Sequence, residues 1–153
     1  VDLYAGSGAV GIEAISRGAA HVFFSESAAK AAAVIRANLK ALDIRVGTSI
    51  EPGGTPTLLK RLVKQGTVLD LVFLDPPYEA ADEYTRTLNA LGGEAFIPCL
   101  SPNVLVIAEH TRKQSLAGSY GRLTRTRTLL QGDAALSFYD LSEPVPELPT
   151  LVE

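Results

Sequence analysis

Asp2-Leu3-Tyr4-Ala5-Gly6-Ser7-Gly8-Ala9-Val10-Gly11 decides the fold. Residues 1–4 form an apolar run that reads as a buried strand. Gly6-Ser7-Gly8 reads as a turn, and residues 9–17 as a helix closed by Gly18. Gly6, Gly8 and Gly11 fit G-x-G-x-x-G, between a strand and a helix, where glycine lets the backbone turn tightly and approach a ligand closely. Glu26 ends the second predicted strand (residues 21–25), about 20 residues further on. A carboxylate there accepts both hydroxyl hydrogens of a ribose. The unit predicts an adenosine-type cofactor; a nicotinamide dinucleotide and S-adenosylmethionine both fit. Ala5 and Ser27 flank the motif and join Gly6, Ser7, Gly8 and Glu26 as candidate cofactor residues. Asp2 tilts the choice. Beside the crevice it would repel a pyrophosphate and suit an ammonium or sulfonium.

The remaining pattern alternates strands with helices. Ser27 is the predicted N-cap of a helix over 28–42. A third strand is read at 44–49, a loop at 51–56 and a short helix at 57–64. Residues 68–74, VLDLVFL, are almost wholly apolar, as in a strand covered on both faces. A helix over 83–91 and a buried strand over 103–109 follow. Residues 122–130 and 134–141 are predicted to close the chain as an antiparallel hairpin. The pattern predicts an α/β fold with a mostly parallel sheet. Ligands bind such sheets at the carboxyl ends of the strands. The motifs at 5–8, 26 and 75–78 therefore point into one crevice.

Asp75-Pro76-Pro77-Tyr78 follows the fourth predicted strand directly. The two prolines remove backbone donors and stiffen the loop, so it presents carbonyls. Asp75 adds a carboxylate acceptor and Tyr78 a flat ring. Together they suit a planar base with an exocyclic amine: acceptors take the amine hydrogens and the ring stacks on the base. Such an amine is a poor nucleophile because its lone pair is delocalised. Accepting its hydrogens favours a more nucleophilic nitrogen. Asp75, Pro76, Pro77 and Tyr78 are the candidate catalytic residues.

Composition sets the outer bounds. The chain has 153 residues, 46% hydrophobic and 20% charged, which is one globular domain. Residues 1–141 are read as that domain and 142–153 as a frayed tail. No apolar run is long enough to span a membrane. One cysteine, Cys99, excludes a disulfide framework, is assigned to the core, and points to the reducing cytoplasm. His21 and His110 are too isolated for a site, and no metal is expected. The sequence has no Met and opens inside an apolar run. Both are read as signs of a piece whose N-terminus lies upstream. Net charge is −3, with no global mark of a nucleic-acid binder. A local basic stretch holds Arg112, Lys113, Arg122, Arg125 and Arg127. Equal parity puts Arg125 and Arg127 on one strand face, either an RNA-facing stripe or a solvated surface.

Residues 2–19, DLYAGSGAVGIEAISRGA, resemble the cofactor loop of the RsmD family, the 16S ribosomal RNA guanine-N2 methyltransferases. Residues 69–78 resemble that family's catalytic loop, and residues 131–141 its closing hairpin. The resemblance implies a Rossmann-like S-adenosylmethionine-dependent methyltransferase fold with a seven-stranded sheet. It implies S-adenosylmethionine as donor, held by Gly6, Ser7, Gly8 and Glu26, and a guanine amine held by residues 75–78. It also implies 16S rRNA or an assembling small ribosomal subunit as partner, and the chain is expected to act as a monomer. Two places depart from the family pattern: Ala28 stands for an acidic residue, and residues 47–50 lack the acid that meets adenine. Competing readings are a DNA adenine-N6 methyltransferase, for which the chain has no target-recognition insertion, and a nicotinamide oxidoreductase, which gives residues 75–78 no task. An inactive adenosyl-binding module has no need of an amine grip.

Overall fold

β1 (Asp2–Leu3) is short because Tyr4, at φ 62, turns the backbone out of the extended region. The computed structural model describes residues 1–77 and 79–142. After β1 come α1 (Ala9–Ser16), β2 (Val22–Ser25), α2 (Ala29–Ala41) and β3 (Thr48–Glu51). Next are α3 (Thr55–Gln65), β4 (Leu69–Leu74), α4 (Ala81–Gly92), a 3-10 turn at Ile97–Cys99, and β5 (Leu100–Thr111). Three antiparallel strands finish the described chain: β6 (Ser119–Tyr120), β7 (Leu123–Gln131) and β8 (Ala134–Leu141). The sheet order is β3-β2-β1-β4-β5-β8-β7-β6. β1 to β5 run parallel, and β8 enters antiparallel between β5 and β7.

Two apolar layers hold the sheet. Val22, Phe24, Ile35 and Leu39 pack with Ile12 and Ile15 under α1 and α2. On the other face α3 presents Leu58, Leu59 and Leu62, whose i, i+1, i+4 spacing forms one helical stripe. With Leu88 and Leu91 of α4 they cover Val72, Leu74, Val106 and Ala108. Each fully buried Leu contributes about 1.5–3 kcal/mol through burial. Among the described residues no helix is long and apolar enough to cross a membrane.

The structure corrects several expectations. Among the described residues the sheet has eight strands, not seven. The extra one, β6, is two residues long and carries no period to read. α2 starts at Ala29 with Ala28 in the N-cap position, so Ser27 is not the cap. Glu26 takes over: its Oε1 accepts the Ala28 N–H at 2.8 Å. β3 lies at Thr48–Glu51 rather than 44–49, because Asp43 (φ 54) and Gly47 (φ 75) bend the chain ahead of it. α3 begins at Thr55, with Pro56 in its first turn. β4 is fully covered only by α3 and α4. Val68 and Leu71 are exposed because α1 and α2 reach across β1 to β3 alone. The tail beyond Ser142 lies outside the described residues.

β6 exists because α4 and a tight turn meet without side chains. Arg122 donates its backbone N–H to the Gly92 carbonyl at 2.8 Å, and Gly121 takes φ 56. A Cβ at Gly92 would overlap the Tyr120 carbonyl oxygen. Gly92→Ala is expected to destabilise the fold by about 1–3 kcal/mol. Urea denaturation checks this as a lower midpoint with an unchanged slope.

Candidate functional site

The carboxyl ends of β1, β2, β3 and β4 enclose a cleft of ≈ 300 Å³. Its walls are Tyr4 and Gly6 after β1, Ser25, Glu26 and Ser27 at β2, Gly54 and Thr55 opening α3, and Asp75, Pro76 and Pro77 after β4. Three of the predicted motifs thus meet, as the parallel order requires. Tyr78, predicted to stack on a base, lies outside the described residues.

Glu26 organises the cofactor side. Its Oε2 accepts the Gly6 N–H at 2.8 Å while its Oε1 holds Ala28. Each carboxylate oxygen keeps a further lone pair for a ribose hydroxyl. Gly6 (φ 56) and Gly8 (φ 80) hold backbone shapes that L side chains avoid. The space above Gly6 is open, with nothing within 4 Å of a built Cβ. At Gly11 a Cβ would overlap the Phe24 ring, so the third glycine sets helix packing.

Four predicted cofactor residues do not line the cleft. Asp2 is buried, and its Oδ2 accepts the Gly11 N–H at 2.9 Å. Strand parity sends its side chain beneath α1 instead of into the crevice, where it ties β1 to the helix N-terminus. Burial pushes its carboxyl up to about 6. Ala5 packs into the core under α1 and α2 and contributes only backbone: its N–H goes to Ser25 and its carbonyl takes the Gly8 N–H. Ser7 is exposed, and its carbonyl is held by the Asn38 amide at 3.0 Å. Gly8 is buried, and a Cβ there would stand 3.2 Å from Ile35.

Sequence reasoning missed other members of the site. Tyr4 donates its hydroxyl to Glu83 Oε2 at 2.9 Å and lies 2.6 Å from Thr87 Oγ1, both on α4. Burial raises its pKa, so the phenol stays protonated. Thr55 meets the buried Ser25 hydroxyl at 3.2 Å. Gly53-Gly54 directly before an apolar helix was the available signal. Glu51 ends β3, one residue beyond the stretch expected to hold an acid. Its Oε1 accepts the Gly53 N–H at 2.9 Å and its Oε2 pairs with Arg61 at 3.0 Å.

The electrostatics select the ligand. Among the described residues the lining includes two carboxylates, Glu26 and Asp75, and no Lys, Arg or His. Such a cleft repels a pyrophosphate and favours a ligand carrying positive charge. Together with the open backbone at Gly6 and the Glu26 acceptors, this fits the adenosyl and sulfonium parts of S-adenosylmethionine. It offers the pyrophosphate of a nicotinamide dinucleotide no cationic side chain among the described lining residues. Burial pushes the Asp75 carboxyl up to about 6, with the Glu109 charge adding to the rise.

The basic stretch is divided. Arg125 pairs with Tyr139 of β8, but Arg127 pairs with Phe138, because a bulge shifts the register between them. Adjacent strand residues face opposite ways, so the two arginines do not share a face. Arg125 donates to the Leu116 carbonyl at 3.1 Å, whereas Arg127 stacks 4.1 Å over the Phe138 ring. Arg112 and Lys113 are exposed in the turn after β5.

Comparison with known proteins places this geometry. The family described as "Conserved hypothetical protein 95" matches residues 1–140. The "Putative rRNA methyltransferase YlbH" of Bacillus subtilis is 32% identical over 139 residues, covering 91% of this chain and 73% of that protein. The "Ribosomal RNA small subunit methyltransferase D" of Buchnera aphidicola is 34% identical over 116 residues, covering 76% of this chain. The matched region spans 57% of the Buchnera protein's length. The solved "Putative methyltransferase yhhF from Escherichia coli" superposes with a TM-score of 0.74 at 26% identity, over 92% of this chain and 74% of that one. The fold is the Rossmann-like fold of the class I S-adenosylmethionine methyltransferases.

Glu26→Ala removes both backbone clasps and a carboxylate able to accept ribose hydroxyls. Charge-assisted hydrogen bonds of about 1.5–3 kcal/mol translate to a roughly ten- to hundredfold loss of S-adenosylhomocysteine affinity. Titration calorimetry measures it, and Glu26→Gln, which keeps one acceptor oxygen, is expected to fall between.

Proposed function

The chain belongs to the family described as conserved hypothetical protein 95 and is an S-adenosylmethionine-dependent methyltransferase; from that premise we propose that it methylates the exocyclic N2 amine of a guanine in small-subunit (16S) ribosomal RNA. The observation that carries the proposal is the meeting of Asp75-Pro76-Pro77 with Gly6 and Glu26 around one cleft. A carboxylate and a proline-stiffened run of carbonyls beside an adenosyl site suit an amine on a flat base. The names of the Bacillus and Buchnera relatives support ribosomal RNA as the substrate class. The assembling small subunit is the proposed partner, the cytoplasm the proposed compartment, and a monomer the proposed state.

Gly6, Glu26 and Ser27 would hold the cofactor, which supplies a methyl group on a sulfonium. Asp75 and the Pro76 carbonyl accept the two amine hydrogens and aim the nitrogen at the cofactor side of the cleft. This positioning, with charge stabilisation as the nitrogen becomes cationic, supplies most of the catalysis. Asp75, whose pKa lies near 6, then takes the released proton. Arg112 and Lys113, exposed after β5 at the carboxyl edge of the sheet, would meet RNA phosphates in this reading. Arg125 and Arg127 serve at most one face each.

The test is transfer of labelled methyl from S-adenosylmethionine to unmodified small ribosomal subunits, with the product nucleoside identified and mapped. N2-methylguanine is expected from the wild type. Asp75→Asn is expected to lose roughly 10²–10³-fold in rate. Another labelled nucleoside, or none, overturns the proposal.

pH gives an independent check. Asp75 must be ionised to accept both hydrogens, so the rate should fall about tenfold per unit as pH drops below about 6. The stability effect has the opposite sign. A carboxyl whose folded pKa is raised from 3.8 to about 6 binds more protons folded than unfolded in that window. Its contribution to stability therefore declines as pH rises through the window. Asp75→Asn should keep or raise the melting temperature at pH 8 while transfer falls by roughly 10²–10³-fold, which a merely structural residue would not do.

A further inference from the structure

Glu109 stands beside Asp75 and has no part in the chemistry described above. β4 and β5 are parallel and in register through Leu74 and Ala108, so Asp75 and Glu109 are the next residues on neighbouring strands. Adjacent strands lie about 4.8 Å apart. Val106 and Ala108 face the core under α3 and α4, so alternation turns Glu109 toward the other side of the sheet. Its backbone is fixed twice: the Tyr84 hydroxyl donates to its carbonyl at 2.8 Å, and it pairs with Leu136 of β8. The carboxylate is half-buried, and among the described residues no cation or hydrogen-bond donor meets it. Its charge reaches Asp75.

The cleft that suits the cofactor extends from Asp75 toward β1, β2 and β3, and Glu109 is not among its walls. A base that meets Asp75 from outside that cleft approaches from the β5 side, where Glu109 lies. On the Watson–Crick edge of guanine the N1–H donor adjoins the N2 amine, whereas adenine offers an acceptor at N1 beside its amine. An ionised carboxylate only accepts. Resting on the guanine-N2 reading, we infer that Glu109 accepts the guanine N1–H and thereby selects bases that carry a donor next to the reacting amine. An adenine amine offered to Asp75 would set its N1 lone pair against the Glu109 carboxylate. The pair of acidic residues thus reads the base as well as orienting the nitrogen.

The experiment uses RNA carrying either guanine or 2-aminopurine at the nucleotide mapped above. 2-Aminopurine keeps the N2 amine but has an acceptor at N1. The wild type is expected to prefer guanine by roughly ten- to hundredfold in kcat/KM, the usual discrimination of a base-edge contact. In Glu109→Gln the side-chain amide can turn to donate, so the preference should shrink by roughly tenfold. S-adenosylhomocysteine affinity should stay within about twofold of wild type, since the cofactor wall is untouched. Glu109→Asp, still acceptor-only, should keep the preference for guanine, and it serves as the second variant if Glu109→Gln does not fold. An unchanged guanine preference in Glu109→Gln, or no preference in the wild type, overturns the role of Glu109 and leaves guanine-N2 transfer standing. Failure of the wild type to methylate guanine at all overturns both.

Discussion

One carboxylate holds the crevice in shape. Glu26 takes the Gly6 N–H on one oxygen and the Ala28 N–H on the other, each at 2.8 Å. The first bond closes the glycine turn against β2. The second meets the N-cap position of α2, which has no side-chain cap of its own. Hydrogen bonds to a charged acceptor are about twice as strong as neutral ones, so this clasp outweighs the weak propensity of the turn. It also leaves a negative charge in the wall, which fixes the kind of ligand the wall can accept.

Acidity is the common character of the sheet's carboxyl edge. Asp2 supports it from below, Glu26 and Asp75 line it, and Glu109 flanks it. Concentrating carboxylates where water is scarce raises the cost of ionising them, which is why Asp2 and Asp75 both rise to about 6. That cost is offset when a cationic ligand arrives. A dinucleotide site on a similar strand–turn–helix unit needs the reverse arrangement, with helix N–H groups free to meet phosphates. Here the Gly11 N–H is already held by Asp2.

Much of this was legible in the sequence, and the remainder has identifiable causes. The glycine turn, Glu26, the 75–77 loop and the β7–β8 hairpin follow from local chemistry and period, and the structure brings the first three together. Ser27 was misread because a neighbouring long carboxylate out-competed it for the helix end. Asp2 meets the Gly11 N–H because its direction depends on strand parity relative to α1, which no spacing in the sequence reveals. Glu51 was passed over because Asp43 and Gly47 delay β3 by several residues. The arginine pair was split by a single-residue bulge, which reverses every parity inference beyond it. Glu109 carries no motif of its own, and only the β4–β5 register sets it beside Asp75.

Tyr4 carries a consequence of another kind. It is a non-glycine residue in the left-handed region, a conformation that persists only where the surroundings over-determine it. Its phenol supplies that constraint from α4, through Glu83 and Thr87, immediately beyond the 75–80 loop. The residue that leaves β1 for the glycine turn is therefore held by the helix that follows Asp75-Pro76-Pro77. α4 cannot leave its place without breaking the two contacts that hold the exit of β1.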